Sequence, residues 1–320
     1  MMKIVKKLKG GSLSKTVVID NGKKLLVRKY VSSVDNREYG LVRWQSQIGR
    51  MQVLRSYLGE YVAPIQSMGV ENDFYFYEMP FYKNAVNCAE LLQDSNNSPN
   101  LASEIVQLVN QMSKIRFGDV VGSVSVYLSE EVLHPLRDSL ERLSLIQVDS
   151  FSNIRSMRKD IECAIEDVLA LIKIYKDKKI VENLTHGNLT LENILWDKDS
   201  QKLILIDPYS ETYTENSCGD ISQISQSSLS GYEYIIKNEL YKDPSVYSYP
   251  YESIPSKLNL FGVETLRLAA EYDWFDPDLH QIMYASQFIR MFTFKMHINT
   301  KQAYFFLMHG VRLLKEVEHA

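Results

Sequence analysis

The chain is poor in the features that mark secreted, membrane-spanning or nucleic-acid-binding proteins. It has only three cysteines, Cys88, Cys163 and Cys218, among 320 residues. They are odd in number, far apart and in no ligand-like spacing. This argues against a disulfide framework or a zinc site and suits a reducing cytoplasm. No segment approaches the roughly 20 apolar residues of a membrane span. The opening stretch, MMKIVKKLKGGS, is basic but lacks the apolar run of a secretory signal. Positive charge is not in excess. The formal net charge is -4, whereas a general nucleic-acid binder needs a basic surface for phosphate. Internal repeats and low-complexity tracts are also missing. The expectation is a cytoplasmic protein with no membrane span and no nucleic-acid partner.

What is present is an ordinary globular balance, 45% hydrophobic and 24% charged. One core rarely serves 320 residues, so two lobes are expected. Residues 1–80 read as β-rich. KTVVID and KKLLVRKYV flank Asn21-Gly22, a two-residue hairpin signal. A helix follows, capped by Ser33 or Asp35, with Val34, Leu41, Trp44, Ile48, Met51 and Leu54 on one face. VAPIQSMGV and DFYFYEMPF then read as strands around a turn at Glu71-Asn72-Asp73. Residues 81–320 read as nearly all helical, interrupted by a short hairpin of NILWD and KLILID around Lys198-Asp199-Ser200. The fold class expected is α+β.

The chemistry concentrates in LTHGNLTLENILWDKDSQKLILIDPYSE, Leu184 to Glu211. Asp207 ends an apolar strand, so its carboxylate emerges at the strand tip, where a hard cation can take an oxygen ligand. Asn193 precedes the other hairpin strand and offers an amide oxygen for a second metal contact. His186-Gly187 lie in the loop before them. Each residue alone is also a strand-end or loop-cap residue. The order His-Gly, Asn, hairpin, Asp is more specific than any part. It suits phosphoryl transfer from ATP, where positioning and charge do most of the work.

This order resembles the catalytic and metal loops of aminoglycoside phosphotransferases, choline kinases and their relatives. It looks closer still to phosphotransferase-like proteins found with bacterial capsule and surface-polysaccharide synthesis. Those pair Ile206-Asp207-Pro208 with a Gly219-Asp220 and a Ser228-Leu229-Ser230-Gly231-Tyr232-Glu233 motif, all present here. The resemblance implies a bilobal protein-kinase-like fold, ATP and Mg2+ as cofactors, and a small-molecule acceptor such as a sugar or surface-glycan precursor.

The resemblance also assigns upstream residues. Gly11 and Ser12 match a phosphate-covering turn, although such a turn is also a plain hairpin. A basic residue on the third strand should reach the phosphates. Strand alternation puts Arg28 and Lys29 on opposite faces, and the resemblance favours Lys29, with Arg28 as the fallback. Glu38 matches the helix glutamate that pairs with this lysine, or it simply favours the helix N-terminus. The backbone of Glu78, Met79 and Phe81 matches the stretch that meets adenine, although these side chains also suit a core. EYDWFDPDLHQ, Glu271 to Gln281, offers acids and aromatics to an acceptor, but Trp274 and Phe275 read more readily as core in an interhelix turn.

One position departs from the pattern. Asn188 stands where active relatives carry the aspartate that orients the acceptor hydroxyl and takes its proton. An amide oxygen can orient a hydroxyl but cannot accept the proton. Three readings stay open: a substitution made to trap a substrate complex, a nucleotide-binding pseudokinase serving as a scaffold or regulator, or another base such as Asp220 or Glu192. His186 reads as a brace of the loop.

Overall fold

The computed structural model describes residues 3–8, 14–32, 37–94, 100–116, 121–145, 151–209, 213–245 and 248–317. In chain order the strands are β1 (Lys3–Leu8), β2 (Ser14–Asp20), β3 (Leu25–Ser32), β4 (Ser67–Glu71), β5 (Phe74–Pro80), β6 (Ala85–Asn87), β7 (Val121–Ser123), β8 (Lys179–Val181), β9 (Ile194–Asp197) and β10 (Lys202–Leu205). The helices are α1 (Arg37–Leu58), α2 (Cys88–Asp94), α3 (Leu101–Ser113), α4 (Val124–Leu128), α5 (His134–Ser144), α6 (Ile154–Ile174), α7 (Ser217–Ser228), α8 (Tyr232–Lys237), α9 (Ser256–Ala269), α10 (Pro277–Ile289), α11 (Met291–Lys295) and α12 (Thr300–Leu314). The fold is α+β, and the chain forms two compact units. One is Met1–Leu91 with Leu191–Ser210, the other Leu92–Thr190 with Glu211–Ala320.

The first unit is built on an antiparallel sheet in the order β1-β2-β3-β5-β4. Its strands are rich in β-branched and aromatic residues, which suit a pleated, half-buried surface. Helix α1 packs Ile48 and Met51 into a core with Val27, Tyr77 and Met79. Trp44 fixes where it crosses, because its indole N–H donates to the Phe76 carbonyl at 3.1 Å. A second sheet, β10-β9-β6, shares this unit. Ile204 of β10 belongs to the same core, and the Ala63 N–H reaches the Leu205 carbonyl at 3.1 Å. The division of the chain therefore does not fall at residue 80. Strand β6 pairs with β9 and draws 81–91 and 191–210 into the N-terminal unit.

Two local expectations change. Asn21-Gly22 does not close a two-residue hairpin, since β2 ends at Asp20 and β3 begins at Leu25. The Asn21 carboxamide oxygen instead accepts from the N–H groups of both Lys23 and Lys24 at 3.0 Å, which lengthens the turn. VAPIQSMGV yields a strand only from Ser67. Ahead of it Pro64 lacks an N–H for a ladder, and Val62 bridges to Leu205 instead. The turn at Asn72-Asp73 is a tight one, with φ of +46° and +63°, the signs a primed hairpin turn requires.

The second unit is helical apart from the β7-β8 pair. Helix α6 starts where Asn153 accepts from the Ser156 N–H at 3.1 Å, an ordinary N-cap. Helix α7 is buried along nearly its whole length although it is rich in serine. Its hydroxyls find partners within the helix and on α10: Ser228 donates to the Ile224 carbonyl at 2.7 Å, and Ser225 lies 3.0 Å from His280 Nε2. Gly310 of α12 allows close helix packing, since a Cβ there would stand 2.6 Å from Ile289 Cγ1 on α10.

Candidate active site

In the first unit, Lys29 and Arg28 leave β3 on opposite faces. Arg28 turns to Glu78, donating from Nε to Oε1 at 2.7 Å, and also bonds Glu71 while lying 4.2 Å over the Phe76 ring. Lys29 is 4% exposed and places Nζ 2.8 Å from Asp207 Oδ1. Tyr77 is fully buried on β5 and donates its hydroxyl to the same Oδ1 at 2.9 Å. Tyr77 is paired directly across the sheet from Lys29. Sequence reasoning missed it. The signal was there in strand alternation, because it shares the pleat face of Lys29 and Val27.

Burial acts to raise the Asp207 carboxyl pKa. The Lys29 ammonium, its hydrogen bond and that of Tyr77 outweigh burial and hold the group below its ordinary value. Burial, and then the Asp207 charge, push the Tyr77 phenol well above its ordinary value, so it stays a donor. Asp207 has φ of +54°, a left-handed conformation uncommon for a non-glycine residue and frequent at functional turns. The Arg43 guanidinium lies 4.4 Å from the centre of the Tyr209 ring and also favours the ionised Asp207. Asn193 closes the short helical turn Leu191–Asn193, and its carbonyl accepts from the Ile206 N–H at 3.0 Å. The two expected metal-ligating residues are thus brought to the same end of the β9-β10 hairpin.

The other upstream residues divide. Gly11 and Ser12 lie outside the described residues, and Glu38 lies on α1 with its side chain outside them. Met79 is 5% exposed and its side chain is core. The adenine reading of the Glu78–Phe81 backbone needs correction at two groups. The Glu78 carbonyl already accepts from Gln66 N–H at 2.8 Å, and Phe81 N–H donates to the Leu25 carbonyl at 3.3 Å. Both are spent within the sheet.

In the second unit, the loop around His186 is held by α7. Asp220 is 1% exposed, and its Oδ2 and Oδ1 accept from the N–H groups of His186 and Gly187, each at 2.8 Å. Gln223, one turn on, accepts from Leu189 N–H and donates to the Gly187 carbonyl at 2.8 Å. Gly187 has φ of +74°, which glycine adopts at little cost. Thr185 donates to Glu215 Oε2 at 2.9 Å. His186 is fully buried and Asn188 half-buried. Asp220 thus braces the loop, while Glu192 is exposed in the first unit.

The motif Ser228–Glu233 makes structure. Gly231 has φ of +55° at the N-cap of α8, Glu233 accepts from Ser227 at 2.6 Å, and Ser230 bonds His309 Nε2 at 2.7 Å. The Glu271–Gln281 stretch also serves the fold. Asp276 caps α10 through the Leu279 N–H at 3.0 Å and pairs with Lys178 at 2.8 Å, and Trp274 donates to Asn110 at 3.2 Å.

The fold is that of kinase-like small-molecule phosphotransferases. A glucosamine kinase in complex with glucosamine, ADP and inorganic phosphate matches with a TM-score of 0.61 at 9% identity, covering 99% of this chain and 82% of that one. Aminoglycoside phosphotransferase APH(4)-Ia matches at 0.55 and 12% identity, over 98% and 94% of the two chains. An ethanolamine kinase of Plasmodium vivax matches at 0.54 and 12% identity, over 97% and 82%. No protein-family profile matches the sequence, and no curated protein matches it. No helix among the described residues is long and apolar enough to cross a membrane.

Proposed function

We propose that the chain is an ATP-dependent phosphotransferase acting on a hydroxyl of a small, sugar-like molecule. The observation that carries this reading is Lys29 Nζ at 2.8 Å from Asp207 Oδ1, a strand lysine and a strand-end carboxylate in one cluster. Lys29 and Arg43 supply positive charge for nucleotide phosphates. Asp207 and Asn193 offer hard oxygen donors of the kind magnesium takes, and Asp207 is held ionised. Among the described residues no three His, Cys, Asp or Glu side chains gather as a metal cage. Bound by Asp207 and Asn193, magnesium would offset charge on the transferred phosphoryl group.

Asn188 orients the acceptor hydroxyl through its amide oxygen in this reading, with Gly187 and His186 clamped by Asp220 beneath it in sequence. It cannot take the proton, so turnover is slow. A sugar-like acceptor is supported by the glucosamine-bound neighbour.

The test is Asn188→Asp assayed for ATP consumption over a panel of amino sugars, sugars and amino alcohols. Turnover should rise by about 10²- to 10⁴-fold, and Asp207→Ala should abolish it. Asn188 itself favours a second reading, a nucleotide-binding pseudokinase. ATP-dependent thermal stabilisation with no consumption by Asn188→Asp on any acceptor selects that reading.

A further inference from the structure

Gln223 holds the two backbone groups that flank Asn188. Its Nε2 donates to the Gly187 carbonyl at 2.8 Å, and its Oε1 accepts from the Leu189 N–H. A peptide unit is planar, so the Gly187 carbonyl shares a plane with the Asn188 N–H. The Leu189 N–H likewise shares a plane with the Asn188 carbonyl. One side chain therefore pins both planes that meet at the Asn188 Cα. With those planes set, φ and ψ of Asn188 are set, and so is the direction in which its Cβ leaves the chain. Asp220, one turn earlier on α7, holds the two preceding planes through the His186 and Gly187 N–H groups. Gln223 is 4% exposed, and its amide can face only one way, since a flip would set donor against donor and acceptor against acceptor.

We propose that Gln223 is a positioning residue that aims the side chain at 188 towards the acceptor hydroxyl, and so governs transfer to the acceptor and not nucleotide binding. This rests on the reading that residue 188 orients the acceptor. Asn and Asp have short side chains, so an error in the direction of Cβ passes almost undiminished to the amide or carboxylate.

The experiment is done on Asn188→Asp, with the acceptor it phosphorylates fastest in the panel of amino sugars, sugars and amino alcohols. Adding Gln223→Met, which fills similar space without donor or acceptor, should lower acceptor phosphorylation by about 10- to 100-fold, the scale of a misaimed group. ATP hydrolysis by water, which needs less aim, should fall less, so less phosphorylated acceptor forms per ATP consumed. That ratio is taken on one sample, so a lower folded fraction cancels. Gln223→Glu separates the clip from packing. Its protonated acid repeats the donor and acceptor of the amide, while its carboxylate sets an oxygen against the Gly187 carbonyl. It should outperform Gln223→Met at about pH 6 and lose that advantage towards about pH 9. An unchanged ratio with Gln223→Met, or Glu and Met variants alike at every pH, overturns the proposal and leaves the functional reading in place. Hydrogen exchange of the unsubstituted chain and of Gln223→Met reads the clip with no acceptor present. The Leu189 amide should exchange about tenfold faster in the variant, and an unchanged rate also overturns the proposal. If Asn188→Asp phosphorylates nothing in the panel, the functional reading fails and the role of Gln223 in transfer falls with it.

Discussion

Asp220 accepts from two consecutive backbone groups, the N–H of His186 on one oxygen and that of Gly187 on the other, both at 2.8 Å. A buried carboxylate with two such donors behaves as part of the loop's backbone. It leaves the position of Asn188 to be set by a helix and not by the loop itself.

Asp220→Asn separates bracing from proton transfer. The amide keeps one acceptor and turns a donor towards a backbone donor, leaving a buried N–H unpaired. Stability should fall by about 1–3 kcal/mol in urea unfolding. In the Asn188→Asp background, turnover should drop with little change in ATP affinity. A loss of ATP binding with unchanged stability would contradict the bracing role.

Acid sensitivity should come from two buried imidazoles of the helical unit. Burial lowers the pKa of His280 to about 4, and burial followed by the Arg312 charge lowers that of His309 well below its ordinary value. Both are neutral in the folded chain, while the unfolded chain takes up protons from about pH 6.5 downwards. Below that point the unfolded state binds more protons, so stability is full above pH 6.5 and declines as pH falls towards 4. At pH 5 the loss from His280 alone is roughly 2 kcal/mol. Urea midpoints at pH 7 and pH 5 measure it, and His280→Gln should remove part of the difference. A flat profile across that range would refute the assignment.

Gln47 is fully buried on α1, and its amide nitrogen and oxygen lack hydrogen-bond partners among the described residues. Replacing it with Met keeps the shape and removes an unpaid desolvation cost. Gln47→Met should therefore be neutral to stabilising, by up to about 1 kcal/mol. A lower melting temperature would show that the amide is engaged after all.

How much of this was legible follows from how local each feature is. The β9-β10 hairpin places Asn193 and Asp207 by short-range pairing alone, and both were readable as a pair. Strand alternation posed the choice between Arg28 and Lys29, and the fold places Lys29 with Asp207. Glu78 was read for its backbone, yet its carboxylate answers Arg28, because an ion pair across two strands leaves no local pattern. Asp220 meets the loop from 34 residues away, and only its Gly-Asp motif marked it. Helix α7 misleads in another way. Serine reads as a solvated face, but here Ser222, Ser225, Ser227 and Ser228 are buried and satisfied by neighbours.

The return of residues 191–210 to the first unit has a consequence for biosynthesis. Ile204, with Leu195 and Ile206 beside it, completes the core of Val27, Ile48 and Tyr77, so a nascent chain released only through residue 91 cannot seal that interior. At ordinary translation speeds the wait for the missing hairpin is roughly ten seconds. During that interval the young sheet exposes apolar surface that the hairpin later covers. Premature termination ahead of the hairpin would leave a sticky fragment in place of a smaller working domain.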